Sequence, residues 1–182
     1  MKLTLYSLAF AVLSLLCLIT SANAATPLPH SFRGLVWGQA LEDFGEKSSM
    51  QDTSSAIENK FLGKNETSYK RLYDDNIIGG IKFTAVTYIF WRDKFKAITA
   101  YTAGSDKFAQ LINVTHKKFG RPKSIEENQY CTRVIWSDKQ TELVITMAGD
   151  DNTIHLYMKS LAIENSENRW EAAGRSPAHI EW

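Results

Sequence analysis

The sequence predicts an α+β fold, an antiparallel sheet of five or six strands with helices packed on one face. Two observations lead to this prediction. Short segments rich in β-branched and aromatic residues follow one another with turn signals between them, as antiparallel strands do. One strongly amphipathic helix interrupts the series, and the alternation along the strands indicates one buried and one wetter face of the sheet.

The first 24 residues have the three-part pattern of a secretory signal peptide. Lys2 supplies a positive charge, residues 5 to 19 are almost continuously apolar, and Ala22 and Ala24 are the small residues of a cleavage site. A transmembrane anchor, the rival interpretation, needs about 20 apolar residues, and this run is shorter. We therefore predict cleavage after residue 24, a periplasmic or secreted location and no membrane span after cleavage.

The processed chain has the length of one ordinary domain. We expect a single α+β domain at residues 25 to 162 and a polar, loosely held C-terminal tail at residues 163 to 182, with a short helix near residues 167 to 173. Cys131 is the only cysteine that remains after cleavage, so no internal disulfide framework is expected.

The charge of the processed chain argues against nucleic acid and anionic membrane surfaces as partners. Lys2 is the only charged residue of the signal peptide, and its removal leaves 20 basic and 20 acidic side chains. Proteins that bind nucleic acid usually carry a basic surface, because phosphate neutralisation supplies much of their affinity. We expect the partner to be a protein or an envelope component instead.

The N-terminal part of the domain has few regular elements. Residues 26 to 31 contain two prolines and predict an extended lead-in, and residues 32 to 38 form a short apolar segment with glycines. Residues 41 to 62 are mixed and polar, and we predict one or two short helices there. The pair Gly79-Gly80 is interpreted as a bend in a hairpin, because no phosphate-binding motif surrounds it.

Six strand segments are predicted from their alternation and their β-branched and aromatic content. In the first of them, Tyr69, Arg71 and Tyr73 share one face. Tight turns are predicted at residues 74 to 76 and 92 to 94. The segments are residues 69–73, 81–91, 95–103, 131–136, 142–147 and 153–158.

One helix is predicted by every local signal. Its buried face repeats at helical spacing and consists of Phe108, Leu111, Ile112, Thr115 and Phe119. Ser105 or Asp106 is expected to cap its start. Gly120 supplies a left-handed exit and Pro122 forbids continuation.

Two segments on either side of this helix resemble one another. Residues 84 to 104 align without a gap on residues 129 to 149, and the six identities include Trp91 with Trp136. Either a β-hairpin was duplicated, or two hairpins converged on a common pattern. Both interpretations are left open by the sequence.

The candidates for chemistry are few. Cys131 is the best candidate nucleophile, with His155 or His116 as the base that would activate it. However, Cys131 lies within a strand pattern rather than at a helix start, which favours a structural role. The four histidines (His30, His116, His155 and His179) have no metal-binding spacing. No catalytic, cofactor or metal site is therefore predicted.

Two pairs of carboxylates are interpreted as turns. Asp74-Asp75 and Asp150-Asp151 lack the alternating oxygen ligands, glycine turn and closing glutamate of a calcium loop. We expect both pairs to lie in solvated hairpin connections.

The helix that ends in Phe119-Gly120-Arg121-Pro122, the tryptophan of the next strand (Trp136) and the hairpin with residues 143 to 145 carry a family resemblance. This second half resembles the repeat unit of the outer-membrane assembly lipoprotein of the SmpA/OmlA type, and it is similar to the repeat of secreted β-lactamase inhibitor proteins. Residues 34 to 38 resemble the start of uncharacterised exported α+β proteins with the same Gly-x-Pro helix end. Cys17 follows two leucines rather than a lipidation site, and no inhibitory loop matches, so no site residue is carried over.

Three functional hypotheses follow. The first is an exported, non-catalytic binding module for a protein, peptide or envelope component, anchored by an exposed Trp91 or Trp136. The second is an inhibitor of an extracellular enzyme. The third is a hydrolase-type enzyme that uses Cys131 and His155.

Overall fold

The computed structural model describes residues 26 to 55 and 62 to 174. The predicted signal peptide, part of the helical prediction between residues 41 and 62, and residues 175 to 182 of the predicted tail lie outside these ranges. Within the described part of the chain, no helix combines the length and the apolar character needed to cross a membrane.

The described residues form strands, two α-helices and two 3-10 turns. The helices are α1 (Ser105–Phe119) and α2 (Leu161–Gly174), and the 3-10 turns span Leu41–Asp43 and Lys47–Ser49. The strands are β1 (Ser31–Phe32), β2 (Leu35–Val36), β3 (Met50–Asp52), β4 (Glu66–Arg71), β5 (Ile77–Ile78), β6 (Ile81–Lys82), β7 (Ala85–Trp91), β8 (Lys94–Ala103), β9 (Ser124–Glu127), β10 (Cys131–Ser137), β11 (Thr141–Ala148) and β12 (Thr153–Ser160).

One antiparallel sheet of eight strands organises the fold, in the spatial order β3-β4-β7-β8-β12-β11-β10-β9. The α+β class is confirmed, but the predicted number of five or six strands is too low. The two missed strands, β3 and β9, are short edge strands with mostly exposed residues, so no apolar alternation marks them in the sequence.

Two small two-stranded sheets lie beside the main sheet, one formed by β1 and β2 and one by β5 and β6. The bend predicted at Gly79-Gly80 is confirmed, because these residues connect β5 to β6. Their φ angles of 60° and 80° match the left-handed conformation that a two-residue hairpin turn requires.

The two α-helices lie on opposite faces of the sheet, so the prediction that the helices pack on one face is wrong. Leu111 of α1 belongs to the main core together with Phe90 of β7. Trp91 follows Phe90 and projects from the other face, where its ring meets that of Trp170 in α2 at a centroid distance of 6.5 Å. We name the two surfaces the α1 face and the α2 face.

Helix α1 forms where it was predicted, but its N-cap differs. Gly104 occupies the N-cap position, with a φ of 118°, and no side chain caps the first turn. Gly120 ends the helix with a positive φ of 79°, as predicted, and its N–H donates to the carbonyl of His116 at 2.8 Å. The indole N–H of Trp136 donates to the carbonyl of Gly120 at 2.9 Å and ties this end to the sheet.

Helix α2 contains residues that were expected in a loose tail. It begins directly after β12, and its residue Glu167 is buried. Residues 163 to 174 therefore pack as part of the domain. Their sequence has no apolar stripe, because α2 is held to the sheet mainly by ionic and aromatic contacts.

The aligned hairpins do not share a packing arrangement. Both exist, as β7 with β8 and as β10 with β11. Trp136, however, belongs to the main core on the α1 face, whereas the aligned Trp91 lies on the α2 face. The two aligned tryptophans therefore belong to different packing arrangements.

Candidate functional site

The structure does not bring Cys131 together with either candidate base. Cys131 pairs with Ala148 on one side of β11, and His155 pairs with Thr146 on its other side. Strand β11 therefore separates the two side chains, which are two strand spacings apart, about 10 Å, before their offset along the strands is added. His116 belongs to α1, which covers the other face of the sheet from Cys131 and His155. The predicted nucleophile and base pairs are not formed.

The paired carboxylates lie in turns, as predicted, but they differ in environment. Asp150 and Asp151 are exposed in the connection between β11 and β12. The side chain of Asp74 is buried and pairs with Arg33, whereas that of Asp75 is exposed. Among the described residues, no three His, Cys, Asp or Glu side chains are grouped so that they would hold a metal ion.

The two tryptophans expected to anchor a partner are buried. Trp91 is 6% exposed and Trp136 is 2% exposed. The binding hypothesis in its original form, with one of these indoles on the surface, is therefore wrong. Trp136 faces the main core, whereas Trp91 lies on β7, whose residues are buried on both faces. A strand pattern alone does not reveal that a helix covers the second face of β7.

A buried ionic cluster joins α2 to the sheet. The ammonium of Lys96 contacts the carboxylate of Glu66 at 2.5 Å and also that of Glu167, and each of these side chains is less than one tenth exposed. Lys96 reaches this position because it is the extra residue of a β-bulge. Ile89 pairs with Ala97 and the next residue of β7 pairs with Phe95.

The electrostatics of this cluster favour the charged lysine. Burial by itself would lower the pKa of Lys96, but hydrogen bonds from its ammonium to Glu167 and Glu66 outweigh burial and raise the pKa. The three side chains bind one another. We interpret the cluster as the attachment of α2.

The most unusual exposed residue is Tyr73, in the loop formed by residues 72 to 77. Tyr73 was predicted to continue a strand, but β4 ends at Arg71 and Tyr73 has a φ of 61°. Its side chain is fully exposed. A bulky residue in the left-handed region is a genuine outlier and costs about 1 kcal/mol or more. Such strain persists only where the surrounding structure holds it.

Asp74 provides that surrounding structure. Its carboxylate accepts hydrogen bonds from the hydroxyl of Tyr88 at 2.9 Å and from the N–H of Asn76 at 2.8 Å, and it forms a salt bridge with Arg33. The guanidinium of Arg33 also donates to Asp75 at 3.0 Å and to the carbonyl of Ile77 at 2.9 Å. Contacts from the sheet and from the β1–β2 hairpin therefore hold the loop.

Further contacts complete the support. The N–H of Leu72 donates to the carbonyl of Ser49 at 2.7 Å. Arg71 donates to the carbonyl of Arg33 at 3.2 Å and forms a salt bridge with Glu46. On this support, the side chains of Leu72, Tyr73 and Ile77 are exposed. The result is a short, braced segment, here named the Tyr73 loop, that presents three largely apolar side chains to solvent.

Taken together, the fold and this surface define an α+β sheet domain that displays a braced apolar loop. No protein-family model, curated protein or solved structure matches this chain.

The sequence contained partial signals for the Tyr73 loop. The turn at Asp74-Asp75-Asn76 was recognised, and moving its start back by one residue would have placed Tyr73 in the turn. The partnership of Arg33 with Asp74 had no signal, because it joins residues that are far apart in the chain.

Proposed function

We propose that this chain is an exported, periplasmic or secreted, non-catalytic binding module for a protein, peptide or envelope component, and that the Tyr73 loop is its contact surface. The observation that carries the proposal is the full exposure of Tyr73 in a strained backbone conformation that salt bridges and hydrogen bonds maintain. A strained backbone conformation at an exposed residue that has no role in packing is typical of functional sites such as ligand clamps.

The composition of the loop supports recognition of a protein surface. Tyrosine is enriched among the residues that dominate interfaces, because it offers a large amphipathic contact area at a small cost in conformational entropy. The loop is already held in one conformation, so a partner would not have to order it on binding. Leu72 and Ile77 would enlarge the apolar contact around the tyrosine.

Affinity capture tests this proposal. The full chain, expressed in its own host so that processing takes place naturally, is purified from the envelope fraction together with its bound proteins. We expect a stoichiometric partner with the wild-type chain and at least a tenfold loss of capture with Tyr73→Ala, the size of effect expected for an interface hot spot.

Tyr130→Ala is the matched control. Tyr130 is also an exposed tyrosine in a strand connection, but its φ is not positive and it lies between β9 and β10. Equal capture by the wild-type and Tyr73→Ala chains would refute the role of the loop. Absence of any partner from every envelope preparation would refute the binding module. N-terminal sequencing of the captured chain tests processing, and Ala25 is the expected first residue.

An inhibitor of an extracellular enzyme remains the second candidate, because a rigid protruding loop is also suited to occupy an active-site cleft. The identity of the captured partner separates the two functions. If the partner is an enzyme whose activity the wild-type chain suppresses and Tyr73→Ala does not, the inhibitor function is correct.

A further inference from the structure

A cavity of about 330 Å³ lies between α1 and the α1 face of the sheet. Its walls are mostly apolar and include Leu111 and Val114 of α1, Leu143 of β11 and Leu156 of β12. The volume is at the lower end of the ~300–1,000 Å³ that is typical of small-molecule sites. The cavity is separate from the outer surface of the Tyr73 loop.

The turn of the β5–β6 hairpin forms one wall of this cavity. Gly79 has a φ of 60°, and a Cβ atom at this position would meet Cγ2 of Val114 at 3.0 Å. The hairpin therefore lies directly against α1 at this point. The turn therefore bounds the cavity on this side, and the cavity is partly open to solvent.

The charge around the cavity is one-sided. Lys118 lines it from the last turn of α1, its ammonium lies 5.3 Å from the ring centroid of Phe119, and it forms no salt bridge with any residue in the described ranges. The other cation of the lining, Arg33, is neutralised by Asp74 and Asp75. No acidic residue occurs between Lys107 and Ile125 in the sequence. The uncompensated charge of the lining is therefore positive.

We infer that this cavity binds a single-chain aliphatic carboxylate, with its chain between α1 and the sheet and its carboxylate at Lys118. Dry apolar cavities of about 150 Å³ accept a ligand the size of benzene. A cavity of roughly twice that volume accommodates a chain of about ten to twelve carbons. A lysine in the lining of an otherwise apolar pocket complements a ligand with an apolar body and one anionic end.

Calorimetric titration of the full, exported chain with sodium carboxylates of increasing length, each below its micellar concentration, tests the size of the site. We expect one molecule of decanoate per chain. The affinity should rise about fourfold per added methylene until about ten to twelve carbons and then stop rising. No saturable binding of decanoate, or affinity that still rises at hexadecanoate, would overturn the inference.

Decanol and two lysine variants test the carboxylate contact. Decanol should bind about three- to tenfold more weakly than decanoate, which is the effect expected for one partly exposed charge contact. Lys118→Gln should remove this difference. Lys117→Gln changes the neighbouring exposed lysine, which does not line the cavity, and should leave the difference intact. Equal effects of the two variants would overturn the role of Lys118.

Val114→Phe tests the location of the aliphatic chain, because it fills the cavity from α1. Binding of both decanoate and decanol should be lost, while thermal unfolding shows that the variant is folded. If Val114→Phe does not fold, Val114→Leu fills less of the cavity and should shorten the chain length at which affinity stops rising. Retained decanoate binding by a folded Val114→Phe variant, or an unchanged chain-length limit in Val114→Leu, would overturn the placement. These experiments do not depend on the partner of the Tyr73 loop.

Discussion

The guanidinium of Arg33 forms a salt bridge with the buried carboxylate of Asp74, and this pair fastens the β1–β2 hairpin to the Tyr73 loop. The same carboxylate accepts hydrogen bonds from Tyr88 in the sheet and from the backbone of the loop. One aspartate therefore connects three parts of the chain, and the conformation of Tyr73 depends on it.

Asp74→Asn should destabilise the protein by about 2–3 kcal/mol, because it removes the charge partner of a cation in a partly buried site. The matched control is Asp75→Asn, whose side chain is mostly exposed and whose effect should be much smaller. Urea unfolding of the two variants measures both changes. Equal destabilisation would show that burial of Asp74 has no special importance.

Tyr73→Gly should stabilise the fold by up to about 1 kcal/mol while it abolishes capture of the partner. Glycine adopts a positive φ without strain, and the exposed tyrosine ring contributes no packing that would be lost. Tyr130→Gly should give no gain, because the backbone of Tyr130 is not in the left-handed region. A lower stability of Tyr73→Gly than of the wild-type chain would contradict the interpretation that the backbone of Tyr73 is strained.

Lys96→Met should destabilise the protein by about 3–5 kcal/mol, because it leaves the carboxylates of Glu66 and Glu167 buried without a cation. Combining it with Glu66→Gln and Glu167→Gln should recover much of this loss. Lys94→Met, at an exposed position of the same strand, is the control and should have little effect. Chemical denaturation measures all three variants. No recovery in the triple variant would show that packing, rather than charge, decides the loss.

Alkaline pH should weaken the fold through this cluster and through a second one, in which Lys159 contacts Glu142 and Glu164. The pKa of Lys96 and the pKa of Lys159 are both raised above 10.5, because hydrogen bonds to neighbouring glutamates outweigh the effect of burial. The folded state thus holds these protons more tightly than the unfolded state does. The stability they contribute is fully present below pH 10.5 and is lost as the pH rises through the raised values. Urea midpoints measured from about pH 9 to about pH 12 should fall less steeply in Lys96→Met.

Trp136→Phe should cost more stability than Trp91→Phe. The indole N–H of Trp136 donates to the carbonyl of Gly120 at the end of α1, whereas that of Trp91 is buried without a hydrogen-bond partner among the described residues. The two replacements remove similar volumes, so the difference of about 1–2 kcal/mol reports the hydrogen bond. Thermal unfolding of both variants measures it, and equal losses would contradict the assignment.

Much of the fold was predictable because its signals are local. The buried face of α1 repeats within one helix, and the alternation or the β-branched and aromatic content of β7, β8, β10, β11 and β12 is visible in each segment alone. The short edge strands β3 and β9 escaped prediction because few of their residues are buried. The candidate site was not predicted, since its essential pair, Arg33 and Asp74, is joined only by folding.

By itself, the sequence determined the class of the fold, the position of α1 and most of the strands, because hydrophobic periodicity and turn residues act over a few neighbouring positions. Only the tertiary structure decided which side chains are exposed. It buried Trp91 and Trp136, placed Lys96 in a bulge between two glutamates, and held Tyr73 outward on the Arg33–Asp74 pair. Burial and pairing depend on which distant segments meet across the sheet, and a pattern read along one strand does not contain that information.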